Sequence, residues 1–268
     1  MNLEKEVDGI VEFIKDQVNG ANKAGCVVGV SGGVDSAVIA ALCKKVYPNT
    51  TYGVLMHKLE DNKFGNSYHR AVELCKQLGI YQLKQFIQQD ELLVMNQNVS
   101  PLAMGNYCAR LRMAKLYFEA EVNNCLVVGT DNRCENFIGY FTKYGDGGVD
   151  INPIGQYYKS EVFELGRYMN ISESILNATP SAELYKDQTD EDELGVTYNQ
   201  IESAIGWLEG KDPDTLPNYA MDIVHKVDEM HARTEHKRIL PLEYQRSQKE
   251  GLTCCECCTH EKESKNGI

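Results

Sequence analysis

Gly29-Val30-Ser31-Gly32-Gly33-Val34-Asp35-Ser36 is the stretch of this chain with the most evident chemistry. Two adjacent glycines let the backbone approach an anion closely. A helix starting here would aim unpaired N–H groups at that anion. Ser31 and Ser36 add hydroxyl donors. Asp35 would repel a bare phosphate, which implies a magnesium ion between the two. The lysine of a Walker A loop is absent, so a nucleoside triphosphate would be handled differently here. Read alone, the loop fits two accounts: a phosphate cradle, or a tight strand-to-helix turn with a serine cap. The string over 31–36, set between an apolar strand and an apolar helix, favours the cradle.

The surrounding pattern supplies the elements that would hold such a loop. Short apolar runs at 26–30, 51–56, 80–87 and 125–129 read as strands. Helical spacing of apolar residues covers 7–18, 37–46, 67–78 and 102–122. Strands alternating with helices predict an α/β fold with a doubly wound, mostly parallel sheet flanked by helices. In such sheets a ligand sits beyond the carboxyl ends of the strands. Ser31 and Thr130 both follow a strand end, so they should share one crevice. Later in the chain, 139–148 reads as a glycine-rich loop, 159–169 as a helix and 180–197 as an acidic loop. Residues 198–209 and 214–235 read as helices. Residues 1–244 are expected to form one domain, and 245–268 a polar, cysteine-rich, mobile tail.

Composition narrows the partners. Lys and Arg number 27 against 39 Asp and Glu, a net charge of -12, which disfavours general nucleic-acid binding. An anionic substrate would need a few locally placed cations. No apolar run reaches the ~18 residues of a membrane span, and the first residues lack a signal-peptide pattern. A cytoplasmic location with no membrane partner is expected. Cys26, Cys43, Cys75, Cys108, Cys125 and Cys134 are scattered, and Cys26 and Cys125 fall in apolar strands as small hydrophobes. Cys254, Cys255, Cys257 and Cys258 cluster near His260. Soft-metal binding and an oxidisable tail both remain open for that cluster. His57, His69, His225 and His231 lack partner spacing and read as surface residues.

The string Ser31-Gly32-Gly33-Val34-Asp35-Ser36 resembles the PP-loop of the ATP pyrophosphatases. These include NAD synthetases, GMP synthetases, asparagine synthetases and tRNA-thiolating enzymes. Four further segments are similar to the ammonia-dependent NAD synthetases in particular. They are Gly129-Thr130-Asp131-Asn132-Arg133-Cys134-Glu135-Asn136, the run from Gly139-Tyr140-Phe141-Thr142-Lys143-Tyr144 through Gly145-Asp146-Gly147-Gly148-Val149-Asp150, Pro180-Ser181-Ala182-Glu183-Leu184 with Gln188 to Gly195, and Glu235-His236-Lys237-Arg238. The resemblance spans residues 1–242 in consistent order and implies a Rossmann-like fold of the adenine nucleotide alpha-hydrolase type. Two positions depart from the family pattern: the Met56-His57-Lys58 stretch lacks a proline, and Cys108 stands where a lysine is common.

The resemblance implies ATP-dependent amidation of deamido-NAD by ammonia, through an acyl-adenylate, with ATP as co-substrate and Mg²⁺ as cofactor. It implies ATP contacts at Gly29, Val30, Ser31, Gly32, Gly33, Val34, Asp35, Ser36, Thr130, Lys159 and Ser181. Asp35, Lys159 and Ser181 carry the implied catalytic roles, and Asp35 and Glu135 the metal. Glu135 by itself also fits a solvated carboxylate at a helix start. Lys159 opens a helix, where the dipole disfavours a cation; a phosphate partner would explain it, and a plain surface lysine is the alternative. Arg110, Lys143, Asp150, His236 and Lys237 resemble the deamido-NAD contacts. A homodimer is implied. The segments 139–148 and 180–197 are expected to be lids that exclude water from the adenylate. The chain's length leaves no residues for a glutaminase domain, so free ammonia or a partner subunit is the expected nitrogen source. Another PP-loop enzyme, a related amide ligase and a non-catalytic nucleotide binder are the rival readings.

Overall fold

The computed structural model describes residues 1–57, 66–86, 99–180, 189–211 and 221–244. The chain divides into a unit over Met1–Arg238 and a segment over Ile239–Ile268. In the second, residues 239–244 form neither helix nor strand.

Four strands make the sheet: β1 (Gly25–Gly29), β2 (Thr51–His57), β3 (Tyr81–Phe86) and β4 (Cys125–Val128). All pairs are parallel, and the order is β3-β2-β1-β4. A parallel sheet is covered on both faces, which is why β1 and β4 are apolar along their whole length. Successive side chains alternate between the faces. Cys26 and Val28 enter the large core beneath α1 (Leu3–Gly20), α2 (Val34–Val46) and α3 (Asn66–Leu78). Val27 and Val127 face the other way, against α4 (Pro101–Val122). Strand order reverses direction between β1 and β4, so the crevice of this sheet opens at their carboxyl ends.

Beyond β4 come the helices α5 (Arg133–Ile138), α6 (Lys159–Tyr168), α7 (Glu173–Leu176), α8 (Asp190–Leu194), α9 (Tyr198–Leu208), α10 (Met221–Arg233) and α11 (Glu235–Arg238). A second core joins Cys134 and Ile138 of α5 to Ile201 and Ile205 of α9 and to Val224 and Val227 of α10. Among the described residues no helix is long and apolar enough to cross a membrane.

All four strands lie where the apolar runs place them, with residue 87 outside the described set. Three differences matter. Helix α2 starts at Val34 rather than at residue 37, so Asp35 and Ser36 belong to its first turn. The segment 180–197 is not loop throughout, because α8 occupies Asp190–Leu194. Thr189 caps it by accepting from Asp192 N, and its four acidic residues sit at the N-terminal end of the helix dipole. The helix expected over 214–235 is described only from Met221. It stops at Arg233, and α11 follows.

Candidate active site

The loop after β1 is organised by its two serines. Ser36 Oγ donates to Gly33 O at 3.0 Å and receives Ser31 N at 3.2 Å. A hydroxyl has one proton, so in the 3.1 Å contact between the two hydroxyls Ser31 must be the donor. Ser31 Oγ in turn accepts from Gly33 N at 3.2 Å. Gly33 is the N-cap of α2 and has no side chain to satisfy the first-turn N–H groups. Ordered in this way, the loop presents the start of α2, as an anion cradle would require. Gly32 sits at φ +89°, and a Cβ there would lie 2.2 Å from the Ser67 carbonyl oxygen, so only glycine fits between the loop and α3. Arg70 of α3 donates from Nε to Gly32 O at 3.0 Å.

Across the crevice, α5 begins with a capping box. Asn132 Oδ1 accepts from Glu135 N at 3.1 Å, and Glu135 Oε2 accepts from Asn132 N at 3.0 Å. This fixes the Glu135 carboxylate at the strand end. Asn132 Nδ2 also donates to Asp35 Oδ1 at 3.1 Å, which ties α5 to α2. Lys159 completes the set. Its Nζ lies 2.6 Å from Asp35 Oδ2 and 3.5 Å from Glu135 Oε1, with its side chain only 5% exposed. The Tyr198 ring packs 4.9 Å from the same ammonium. Lys159 is therefore no plain surface lysine: the partners that hold it against the helix dipole are two carboxylates. Burial alone would lower its pKa, but Asp35 and then Glu135 hold it above the ordinary lysine range.

Burial pushes Glu135 up to about 7, against the opposing pull of Lys159. Asp131, at the same strand end, is raised well above the carboxylate range by burial and then by Asp146, Glu135 and Asp35. Tyr198 OH lies 3.1 Å from Glu135 Oε1 and 2.9 Å from Asp190 Oδ2, and Tyr140 OH lies 3.3 Å from Asp190 Oδ1. One tyrosine proton cannot serve two carboxylates at once, so Tyr198 OH donates to only one of Glu135 and Asp190 at a time. Among the described residues no cluster of three or more His, Cys, Asp or Glu side chains is arranged to hold a metal ion. A cation held by Asp35 and Glu135 would thus take its remaining ligands from water and phosphate oxygens, which is how magnesium is usually bound.

The structure brings Asp35, Glu135 and Lys159 together, and Thr130, half-buried, follows two residues after the end of β4. Ser181 lies outside the described residues. Four of the five expected dinucleotide contacts form one chain. Arg110 donates to Lys143 O at 3.3 Å, Lys143 Nζ donates to His236 O, and Lys237 Nζ donates to Gly139 O and Phe141 O, each at 2.7 Å. Rather than a loose cover, 139–148 is thus fastened to α4 and α11. Asp150 is bonded elsewhere, accepting from Tyr117 OH at 3.0 Å and Val127 N at 2.7 Å.

One reading of a single residue changes. His231 is half-buried rather than on the surface. It stacks on Phe137 at 4.1 Å, and its Nδ1 lies 2.8 Å from the Phe137 carbonyl, which can only accept, so Nδ1 carries the proton. Asn132, Asp190 and Tyr198 belong to the site although no motif assigned them roles. For Asn132 the signal was present, an Asn three residues before a Glu at a helix start. His69 and His225 are exposed. The six described cysteines are buried and free, whereas Cys254, Cys255, Cys257, Cys258 and His260 lie outside the described residues.

A family model described as NAD synthase matches residues 6–241. An NH(3)-dependent NAD(+) synthetase of Mesoplasma florum is 42% identical over 255 residues, covering 92% of this chain and 100% of that protein. One of Alkaliphilus oremlandii is 38% identical, covering 90% of this chain and 96% of that protein. Among solved structures, an NMN synthetase from Francisella tularensis superimposes with a TM-score of 0.81 at 36% identity, over 92% of this chain and 100% of that one. An NH3-dependent NAD synthetase from Campylobacter jejuni superimposes with a TM-score of 0.78 at 28% identity, over 91% and 100%.

Proposed function

The chain belongs to the NAD synthase family, and from that premise we propose that it amidates deamido-NAD with ammonia, using ATP and releasing AMP and pyrophosphate. The observation that carries the site assignment is the buried ammonium of Lys159, which joins Asp35 of the phosphate loop to Glu135 across the strand switch. The loop from Gly29 to Ser36, with Thr130 and Ser181, binds ATP. The nicotinate carboxylate attacks the α-phosphorus, and the bond to the bridging oxygen breaks as pyrophosphate leaves. Ammonia then forms the C–N bond, AMP leaves with the electrons of the C–O bond, and the nitrogen loses one proton. First-turn N–H groups of α2 receive the charge that develops on pyrophosphate, and the hydroxyls of Ser31 and Ser36 hold the loop that presents them. Asp35 and Glu135 would hold Mg²⁺, whose oxygen preference they match; when bound it supplies further neutralisation of the leaving group. Arg110, Lys143, Asp150, His236 and Lys237 are assigned to the dinucleotide.

The test is incubation with Mg-ATP, ammonium and deamido-NAD, with NAD, AMP and pyrophosphate measured together. Equal yields of the three support the reading; ADP formation, or no amide product, overturns it. Asp35→Asn should abolish turnover and leave the circular dichroism spectrum unchanged. The Francisella neighbour supports a second reading, in which the acyl substrate is the mononucleotide. Comparing kcat/KM for the two acids under the same conditions separates them.

A homodimer in the cytoplasm completes the proposal. On α4, Tyr107, Leu111, Ala114, Phe118 and Val122 recur at helical spacing on one face, and Phe118 and Val122 are 62% and 64% exposed. A second copy would cover such a stripe. Light scattering of the wild type and Phe118→Glu checks this: a monomeric wild type excludes the dimer.

A further inference from the structure

We infer that Arg70 is a phosphate-binding residue of this site, supplying from α3 the cation that the loop over 31–36 lacks. The inference rests on reading that loop as the ATP cradle. Three observations carry it.

The first is position. Arg70 Nε donates to Gly32 O at 3.0 Å, so the guanidinium lies one hydrogen bond from the loop backbone. Ser67 and Arg70 are three residues apart on α3 and share a face. That face meets the loop at both points, because Gly32 also packs against the Ser67 carbonyl. A long side chain on a helix leans toward the helix N-terminus, which here is toward the loop.

The second is capacity. Arginine has five N–H donors in a planar fork that matches phosphate. The contact with Gly32 is made through Nε alone, and among the described residues the terminal nitrogens of Arg70 have no hydrogen bond or ion pair. The side chain is half-buried, so it is held in place without being sealed from a ligand.

The third is charge. Lys159 is already engaged by two carboxylates. With both ionised, that trio carries one net negative charge, and a triphosphate adds several more. A cation at the loop that Asp35 does not engage is what this balance calls for. A merely structural clamp would need the Nε contact and nothing beyond it.

The test uses the full chain and inorganic pyrophosphate with Mg²⁺, titrated calorimetrically, so it needs no acyl substrate. Arg70→Gln keeps an N–H donor and removes the charge; Arg70→Lys keeps the charge. The glutamine variant should bind pyrophosphate about tenfold or more weakly, the loss of one charge-assisted contact, and the lysine variant should recover most of it. KM for ATP should rise in parallel while KM for the acyl substrate holds. Pyrophosphate affinity within about twofold of wild type in Arg70→Gln would overturn the inference, as would equal losses in both KM values together with a lowered Tm. A protein that fails to make NAD yet binds pyrophosphate through Arg70 would sink the proposed amidation and leave this inference standing.

Discussion

Lys159→Met removes a buried cation from between two half-buried carboxylates while nearly conserving side-chain volume. Removing one partner of a buried ion pair costs about 3–5 kcal/mol, because the other charge stays buried. Two features of this site moderate that cost. Asp35 retains Asn132 Nδ2 at 3.1 Å, and Glu135 retains Asn132 N at 3.0 Å. Burial already pushes Glu135 up to about 7, and Lys159 is what restrains it. Without the lysine, Glu135 takes a proton more readily. The expected loss is therefore near the lower bound, about 3 kcal/mol. Its pH dependence has a definite sign. In the variant Glu135 has a folded pKa raised relative to the wild type, so the folded variant binds the extra proton, and its relative stability falls as pH rises. Urea unfolding of both proteins in EDTA, at about pH 5.5 and about pH 8.5, should show the smaller difference at the lower pH. A loss under about 1 kcal/mol at the higher pH, the range of an exposed pair, would refute the reasoning, and so would a difference that shrinks as pH rises.

Gly32→Ala forces an L residue to φ +89° and sets a Cβ 2.2 Å from the Ser67 carbonyl oxygen. Strain of about 1–3 kcal/mol plus displacement of α3 should raise KM for ATP sharply; a KM equal to wild type would show that the loop accommodates the methyl group. Gly139→Ala meets φ +68° and the Thr234 Cβ at 2.3 Å, so its Tm should fall, and an unchanged Tm would mean that the loop does not depend on this close approach. Burial pushes the Cys75, Cys125 and Cys134 thiols up to about 12, 11 and 12, so iodoacetamide near neutral pH should leave all three unmodified in folded protein when peptides are mapped by mass spectrometry. Because these folded pKa values exceed the unfolded value of 9.0, the folded state keeps protons that the unfolded state loses, and stability should decline as pH rises above about 9.

What could be read from the chain followed the range of the interactions. The apolar runs of β1 and β4 declare buried parallel strands because every residue in them faces a covered side. The tight turn over 31–36 is legible because its glycines and serines act within a few residues of one another. Asn132 and Glu135 form a local box visible in their spacing. By contrast, Tyr198 reaches Glu135 from 63 positions away, and does so only because α9 packs on α5 in the second core. His231 finds Phe137 by the same packing. No periodicity within α9 or α10 encodes those meetings. The resemblance points to Lys159, but its carboxylate partners are not legible, since a sequence reading sees the helix it opens and not the side chains across the crevice.

Asp35 and Lys159 stand 124 positions apart, and Gly139 and Lys237 stand 98 apart. During synthesis the ribosome therefore releases a complete phosphate loop long before the lysine that balances its aspartate. The loop at 139–148 waits in the same way for α11. A nascent chain can carry the loop over 31–36 without the lysine that pairs with its aspartate or the clamp that fastens the wall at 139–148, so the last of these contacts closes only after α11 has been made. The placement of these residues along the chain thus sets the order in which the contacts can close.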